Sequence, residues 1–255
     1  MTISMNLWRI GEENKLKPVQ KSKVNFENDL EEWILEDPTI LNSDLMILGR
    51  QIHTDFGGYI DILALDAEGD LVIIELKRNK TPRDVVAQCL DYASWVSELN
   101  YKRIINLYKK HNGKNLSDQY QEFFNEQLPE SLNENHQIVI VAASLDDATE
   151  RIIQYLSDKH SMNINAVFFN IFELNGTQIL GRSWFKDPEI IEEKASIGKR
   201  APWTGYWFVN TGIREDRPRD WELNIKYSYM SAGNGPRQAV TELKIFSKNY
   251  HIYQF

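Results

Sequence analysis

The sequence lacks the features that mark several common classes of protein. Its 255 residues include one cysteine, Cys89, so the chain forms no intramolecular disulfide. No apolar run approaches the roughly 18 residues that cross a membrane, and the N-terminus has no basic start followed by an apolar stretch, as a secretory signal has. None of the 5 histidines has zinc-ligand spacing with the cysteine, and GxGxxG and Walker phosphate-binding patterns are missing. A cytoplasmic enzyme or binding protein without a membrane partner is therefore expected.

The residues that are present are those of a folded protein. The chain is 42% hydrophobic and 26% charged, which is enough apolar surface for a packed core. At roughly 150 residues per domain, the length fits one large domain or two unequal ones. The net charge of −8 argues against a protein that coats nucleic acid by bulk attraction.

The charge is unevenly distributed along the chain. Residues 199–255 hold nine Lys/Arg, five Asp/Glu and 11 of the 29 aromatic residues, so their net charge is +4. Because the whole chain carries −8, residues 1–198 carry −12. A basic, aromatic tail on an acidic body suggests two units with different functions. A chance difference in a small aromatic β domain is an equally open interpretation.

Hydrophobic periodicity predicts alternating helices and strands. Helices are expected at 26–35, 82–99 and 147–159, and strands at 46–54, 59–66, 71–78, 137–143, 164–173 and 177–185. Asn25, Thr81 with Pro82, and Asp146 or Asp147 have the composition of helix starts. Lys109-Lys110 and Asn112-Gly113-Lys114 are interpreted as a solvated turn. This order of elements predicts an α/β fold with a mixed sheet.

The most informative stretch is YIDILALDAEGDLVIIELK, residues 59–77. Gly69 closes a three-residue loop between two apolar strands, a common hairpin connection because glycine accepts the left-handed conformation. Opposed residues then have numbers that sum to 136, so Asp61 opposes Glu75 on one face. Lys77 lies two residues further and shares that face. A bulge would shift this register by one residue.

Two opposed carboxylates repel each other unless a cation lies between them. Mg²⁺ takes one or two carboxylates and keeps open positions for water or phosphate, and a neighbouring lysine can orient a phosphate or the attacking water. These groups suit metal-assisted phosphodiester hydrolysis. The alternative is an Asp–Lys–Glu surface salt bridge on an edge hairpin. The apolar run at 71–74 disfavours that alternative, because it is typical of a central strand.

Asp61 followed by Glu75-Leu76-Lys77 resembles the PD-(D/E)XK nuclease signature. Residues 48–80, 84–96 and the helix at 26–41 are similar to the catalytic domain of NucS-type endonucleases. Ile60 stands in place of the proline of the signature, a variation found in this superfamily. The resemblance implies a restriction-endonuclease-like mixed sheet flanked by helices over residues 1–190.

The resemblance also implies a catalytic centre. Its metal ligands would be Asp61, Glu75, the backbone carbonyl of Leu76, and Glu27 on the first helix. Lys77 would orient or activate the attacking water. Glu31, one turn after Glu27, competes for the helix position, and either glutamate could instead be a solvated helix charge.

Three further residues match positions of the family. Gln88, a candidate catalytic residue, matches the glutamine on the helix after the signature. Tyr92 follows it by one turn on the same face and is a candidate nucleic-acid contact. Arg50 and Gln51 match an Arg-Gln pair that the resemblance implies near phosphate. For Arg50, an ordinary surface cation is an open alternative.

The tail resembles a PUA/EVE-like β-barrel module, predicted at 202–255 after a helical linker at 191–201. It carries the motifs GYWFVN, RDW and SAGNG. Its candidate base-stacking residues are Trp203, Trp207 and Trp221, and its candidate phosphate contacts are Arg214, Arg217 and Arg219. The tryptophans could equally form the core of the small module. The module is short for such a barrel, so an incomplete barrel is expected.

The sequence thus predicts an Mg²⁺-dependent endodeoxyribonuclease, with Mn²⁺ as a substitute, that acts in restriction, defence or repair. Its expected partners are DNA and a second copy of the chain, since paired cuts by such nucleases often need two protomers. A non-catalytic DNA-binding protein on a nuclease scaffold and an RNA-directed nuclease stay open as alternatives, as does a structural subunit with a dimerising tail.

Overall fold

A computed structural model of the protein describes residues 5–22, 26–41, 45–77 and 83–199. The chain divides into two units, Met1–Pro202 and Trp203–Phe255, and the description concerns the first. The predicted tail module lies outside the described residues. Its candidate residues therefore stay predictions: Trp203, Trp207, Trp221, Arg214, Arg217 and Arg219.

The described part of the chain forms a mixed sheet flanked by helices, as the sequence predicted. Its elements in chain order are β1 Leu7–Ile10, β2 Leu16–Lys21, α1 Phe26–Glu36, β3 Met46–His53, β4 Tyr59–Leu65, β5 Leu71–Lys77, α2 Asp84–Val96, α3 Tyr101–Asn112, α4 Leu116–Phe124, β6 Gln137–Ala142, α5 Asp147–Lys159, β7 Ile164–Leu174, β8 Thr177–Trp184 and α6 Pro188–Lys199. Over these residues the strand order is β1-β2-β7-β6-β5-β4-β3, and β8 pairs with β7. β5, β6 and β7 run parallel, and the other neighbours are antiparallel.

The two faces of the central strands bury two separate apolar layers. Leu63 and Ile73 point to one face, where they pack with α2, α3, α4 and α5. Ile62 and Ile74, one residue along each strand, point to the other face and pack against α1. This division follows from the alternation of side chains along a strand. β4 and β5 are therefore buried on both sides, which explains their nearly continuous apolar sequence.

The β4–β5 hairpin has the predicted register. Leu65 pairs with Leu71, and the ladder continues to the pair Ile62 and Ile74, so every pair sums to 136. At Asp61 the ladder ends, because the backbone N–H of Leu76 donates to Asp61 Oδ2 at 2.8 Å rather than to the backbone of β4. A side chain thus replaces the next ladder bond where the two strands diverge.

The turn of this hairpin requires glycine at position 69. Gly69 has a φ of 85°, and a Cβ added there would lie 2.8 Å from Leu132 Cδ2. We expect Gly69→Ala to cost roughly 2–3 kcal/mol of unfolding free energy, from the left-handed backbone and from overpacking. Gly113→Ala is the matched control, because Gly113 has a φ of 69° with no atom within 4 Å of the added Cβ. Equal shifts of the two urea midpoints would contradict this account.

Several helix boundaries agree with the sequence analysis. Asp146 caps α5, since its carboxylate accepts from the backbone N–H of Thr149 at 2.6 Å. Between the predicted strands at 164–173 and 177–185, a turn at Asn175-Gly176 joins β7 to β8, and both residues have positive φ. α2 ends at Val96, three residues before the predicted Leu99. Asn25, Thr81 and Pro82 lie outside the described residues.

The region between α2 and β6 differs from the prediction. Lys109 and Lys110 belong to the last turn of α3 rather than to a solvated turn. Gly113 ends α3 in the left-handed conformation, and Asn115 caps α4. Two buried residues, Ile104 and Tyr108, hold α3 against the sheet, so tertiary packing stabilises a helix whose sequence is mostly polar.

The stretch predicted as a helical linker, 191–201, overlaps α6, which begins earlier, at Pro188. Ile191 and Ala195 are buried on it, and the helix contacts α5 and β7. Across the described ranges, no helix is both long and apolar enough to span a membrane.

Candidate active site

Asp61, Glu75 and Lys77 meet where β4 and β5 diverge. The Lys77 ammonium donates to Glu75 Oε1 at 2.5 Å. The side chain of Glu75 is 1% exposed and that of Lys77 is 28% exposed, so the pair opens to solvent on the lysine side. Asp61 is half-buried at the start of β4 and is fixed by the N–H of Leu76. The structure therefore brings together the three groups that the register predicted on one face.

The electrostatics of these groups favour an added cation. Burial and, after it, the charge of Asp61 raise the pKa of Glu75, Lys77 opposes both effects, and the net result is a pKa of about 7. Burial lowers the pKa of Lys77, but its bond to Glu75 and the charges of Glu75 and Asp61 outweigh burial, so the net shift is upward. One ammonium thus compensates two carboxylates incompletely, which leaves the centre suited to a further positive charge.

Helix α2 covers this centre. The Gln88 side-chain amide donates to the Tyr92 hydroxyl at 2.8 Å. Burial raises the pKa of Tyr92, and the charges of Glu75 and Asp61 raise it too, while the Gln88 bond opposes them. Cys89 lies on the same helix, and burial followed by the charge of Glu75 raises its thiol pKa. The thiol is therefore neutral, and it forms part of the apolar floor rather than a nucleophile.

Strand β3 supplies Gln51 and Arg50, whose side chains make different contacts at the site. Gln51 donates to Asp61 Oδ1 at 3.1 Å, and its φ of 47° is left-handed within a strand. Arg50 instead turns to α1, where its Nη1 donates to Glu32 at 2.8 Å and its Nε lies 3.4 Å from Glu31. Gln51 is therefore placed to orient the Asp61 carboxylate. The resemblance implied a position near phosphate and did not suggest this contact.

Of the two competing glutamates on α1, the structure describes the side chain of Glu31. Its Oε1 is buried and accepts no hydrogen bond from a described residue. Burial raises its pKa, Asp61 also raises it, and Arg50 and Gln51 oppose the rise. Glu27 lies within α1, but its side chain is outside the described part of the chain. The charge of Asp61 thus acts on Glu31 as it acts on Glu75. The choice between Glu27 and Glu31 as the glutamate that α1 contributes to the site stays open.

One direct observation indicates that the residues present would fit a divalent metal. Glu75 Oε2 is buried and has no hydrogen-bond partner within the described residues, an arrangement that is costly unless another group satisfies the oxygen. Among the described residues, no cluster of three or more Asp, Glu, His or Cys side chains has metal-binding geometry. The described residues that would hold the metal are the carboxylates Asp61 and Glu75, to which the resemblance adds the Leu76 carbonyl. Mg²⁺ accepts such sparse protein ligation.

The elements that form the site lie in a part of the chain that matches a known family model. Residues 26–113 match the family model of the endonuclease NucS C-terminal domain. The match starts at α1 and ends just after α3, so it includes Asp61, Glu75, Lys77 and Gln88.

Individual relatives agree with this match. The chain is 28% identical over 86 residues to the endonuclease NucS of Sulfolobus acidocaldarius, which is 34% of this chain and 34% of that protein. The chain thus spans about a third of the length of the curated relative.

Two solved structures match part of the chain. A repair endonuclease from Pyrococcus abyssi has 19% identity and a TM-score of 0.32, covering 57% of this chain and 48% of its own. An EndoMS–dsDNA complex has 18% identity and a TM-score of 0.35, covering 58% and 46%.

Proposed function

We propose that the chain is a metal-dependent endonuclease of the PD-(D/E)XK type that hydrolyses phosphodiester bonds of DNA. The observation that carries the proposal is the buried Glu75 carboxylate, which contacts Lys77, lies beside Asp61 and keeps Oε2 without a partner in the described residues. The match of residues 26–113 to an endonuclease domain supports the same activity. Repair, restriction and defence are the proposed settings.

Asp61, Glu75 and the Leu76 carbonyl would hold the metal. Mg²⁺, or Mn²⁺ in its place, supplies Lewis-acid polarisation of the phosphate and a lower pKa for the attacking water. The bonds from Leu76 N–H and Gln51 fix both oxygens of Asp61. This preorganisation holds the carboxylate in place before substrate binds, which is where much of the catalytic advantage of such sites arises.

Lys77 would act on the attacking water. Its ammonium is partly exposed and points from the buried Glu75 toward solvent, and its raised pKa keeps it protonated at neutral pH. A protonated lysine orients the water and stabilises negative charge that develops on the phosphate. Gln88 and Tyr92 lie on α2 beside the centre and would limit the space that the substrate occupies.

Lys77→Met is expected to separate binding of the metal from catalysis. It removes the ammonium and keeps a linear apolar side chain, so we expect cleavage to fall about a hundredfold or more, the cost of losing one preorganised donor. Divalent-metal affinity should be retained or rise, because the carboxylates lose a competing cation. Calorimetric Mn²⁺ titration and a cleavage time course measure the two effects. Cleavage by Lys77→Met at the wild-type rate would contradict the proposed role of Lys77 in catalysis.

Substrate class is tested with labelled DNA and RNA in the same reaction. The proposal predicts that Mg²⁺ supports cleavage of DNA and that excess unlabelled DNA competes better than RNA of the same length. Cleavage of RNA alone would overturn the DNA assignment and leave the metal-dependent hydrolysis intact. Binding without cleavage of either, in the presence of measured metal binding, would overturn the activity.

A further inference from the structure

Helix α3 concentrates positive charge on an acidic unit. Residues 101–117 hold five Lys/Arg and no Asp or Glu, whereas residues 1–198 carry −12 overall. Lys102, Lys109 and Lys110 are exposed, and none of them forms an ion pair with a described residue. Unpaired cations clustered on one helix attract polyanions, even when the protein as a whole is acidic.

An open groove of about 410 Å³ runs between α3 and β3. Arg103, Asn106 and Lys110 line it from α3, and their spacing of three and four residues places them on one side of the helix. Gln51, His53 and His111 also line it. Asp55 lines it as well and accepts a hydrogen bond from Arg103. The walls thus offer the Lys110 cation and hydrogen-bond donors, which suit phosphate oxygens.

The groove is held in shape before any ligand binds. At one end, Arg103 Nη2 donates to Asp55 Oδ2 at 2.5 Å, and the Trp95 indole donates to the same oxygen at 3.0 Å. At the other end, the Asn112 side-chain amide donates to the Leu48 carbonyl at 2.6 Å, which ties the last turn of α3 to β3. Lys110, without an acidic partner among the described residues, stays available for a ligand.

The groove adjoins the candidate active site through one residue. Gln51 lines the groove and also donates to Asp61 Oδ1 at 3.1 Å. A chain that occupies the groove would therefore continue directly to the carboxylate centre. An extended polyanion fits this continuity, because its successive phosphates could reach both the cations of α3 and the centre.

We propose that the groove between β3 and α3 binds the sugar–phosphate backbone of DNA next to the bond that is cleaved, with Lys110 and Asn106 contacting phosphate. This inference rests on the proposed function, because it assigns the path that the same substrate follows. It also gives a role to the lysines of α3, which form a basic track in a unit where acidic residues predominate.

The test measures DNA binding separately from cleavage. The parent is the full chain with Glu75→Gln, studied in EDTA so that the DNA stays intact. Asn106→Asp with Lys110→Gln changes the groove. Gln154→Asp with Lys159→Gln is the matched control, because it makes the same charge change at two exposed residues of α5. Fluorescence anisotropy with one duplex over a range of salt gives the affinity and its salt dependence.

The groove variant should bind DNA about tenfold more weakly, and its slope of log K against log salt should fall by about 1, as expected for one lost phosphate contact. The control should match the parent. Lys110→Gln alone should give a smaller loss in the same direction, which keeps the test valid if the double variant is less stable. Parental affinity and slope in the groove variants would overturn the inference, and so would absence of DNA binding by the parent.

The outcome is independent of whether the protein cleaves DNA. Cleavage by the wild type together with parental binding by the groove variants would overturn the groove and leave the proposed activity. Absence of cleavage by the wild type together with weaker binding by the groove variants alone would overturn the activity and support the groove.

Discussion

Glu75→Gln is expected to abolish cleavage and to stabilise the metal-free protein above neutral pH. Glutamine keeps the size of the side chain but removes the charge that would hold the metal. A metal contributes several kcal/mol to phosphodiester hydrolysis, so we expect cleavage to fall at least about a thousandfold. A gel assay of plasmid cleavage in Mg²⁺ measures this loss. Cleavage at the wild-type rate would contradict the site.

The gain in stability follows from the pKa of Glu75, which burial and Asp61 raise to about 7. The folded state therefore holds this proton more strongly than the unfolded chain. The favourable contribution is complete below the ordinary pKa of 4.5 and is lost as pH rises through about 7. At about pH 8, glutamine should therefore stabilise the protein by roughly 1–3 kcal/mol in EDTA. The gain is limited because glutamine also weakens the bond to Lys77.

Thermal unfolding in EDTA at about pH 5.5 and about pH 8 measures this difference. We expect the melting temperature of the variant to exceed that of the wild type at the higher pH, with a smaller difference at the lower pH. Equal melting temperatures of the variant and the wild type at both pH values would show that the charge of Glu75 does not destabilise the folded protein. A residue whose replacement removes activity and adds stability is typical of a site where function and folding oppose each other.

Asp66→Asn is expected to stabilise the protein by a similar mechanism and to leave cleavage unchanged. Burial and, after it, the charges of Asp70 and Glu68 raise the pKa of Asp66, the backbone N–H bonds oppose them, and the net result is a pKa of about 7. Asp66 Oδ1 accepts the N–H of Asp70 at 2.7 Å and that of Glu68 at 3.1 Å. The amide oxygen of asparagine can accept both bonds without carrying a charge.

The sign is again that of a carboxyl whose pKa is raised on folding. The stability that Asp66 contributes is complete below the ordinary pKa of 3.8 and disappears as pH rises to about 7. The variant should therefore gain roughly 2–4 kcal/mol over the wild type at about pH 8 and much less at about pH 4. Urea unfolding across this pH range measures the gain. A stability difference between the two proteins that does not depend on pH would show that the titration of Asp66 is not its cause.

Asp66→Asn is also the matched control for Glu75→Gln. Both changes replace, with its amide, a carboxyl of the β4–β5 hairpin whose pKa is raised. Asp66 lies five residues from Asp61, about 16 Å along an extended strand, and so is remote from the carboxylate centre. Loss of cleavage in both variants would show that the hairpin as a whole, rather than the carboxylate at position 75, is required.

The sequence predicted the hairpin because two local rules agree there. The three-residue loop fixed the register, and the alternation of side chains fixed which residues share a face. The place where the ladder stops was not predictable in this way. It depends on a side chain, Asp61, that takes the N–H of Leu76, and such competition has no signature in hydrophobic periodicity.

The elements missed by the sequence analysis have weak local signals. β1 and β2 are short, and Pro18 lies within β2, a residue that argues against a strand by itself. α3 buries two residues in 12 and is otherwise rich in lysine and asparagine. Its charge pattern, four cations without an acid, was visible in the sequence, but only the packing of α3 against β3 places those charges beside Gln51.

The candidate site was predictable in its centre and less so at its border. Asp61, Glu75 and Lys77 follow from register, whereas the contact between Gln51 and Asp61 depends on a left-handed residue inside β3. Arg50 was expected near phosphate, and it pairs with Glu31 and Glu32 on α1. Long side chains such as arginine reach several partners, so their contacts depend on which acidic groups the fold brings near.

The central claim is that the carboxylate pair of β4 and β5 hydrolyses DNA with a divalent metal. The most direct measurement is cleavage of plasmid DNA by the purified full chain in Mg²⁺, Mn²⁺ or EDTA, with Glu75→Gln and Asp66→Asn in parallel. The account predicts cleavage by the wild type and Asp66→Asn in either metal, and none in EDTA or by Glu75→Gln. Cleavage by Glu75→Gln at the wild-type rate, or cleavage in EDTA, would contradict it.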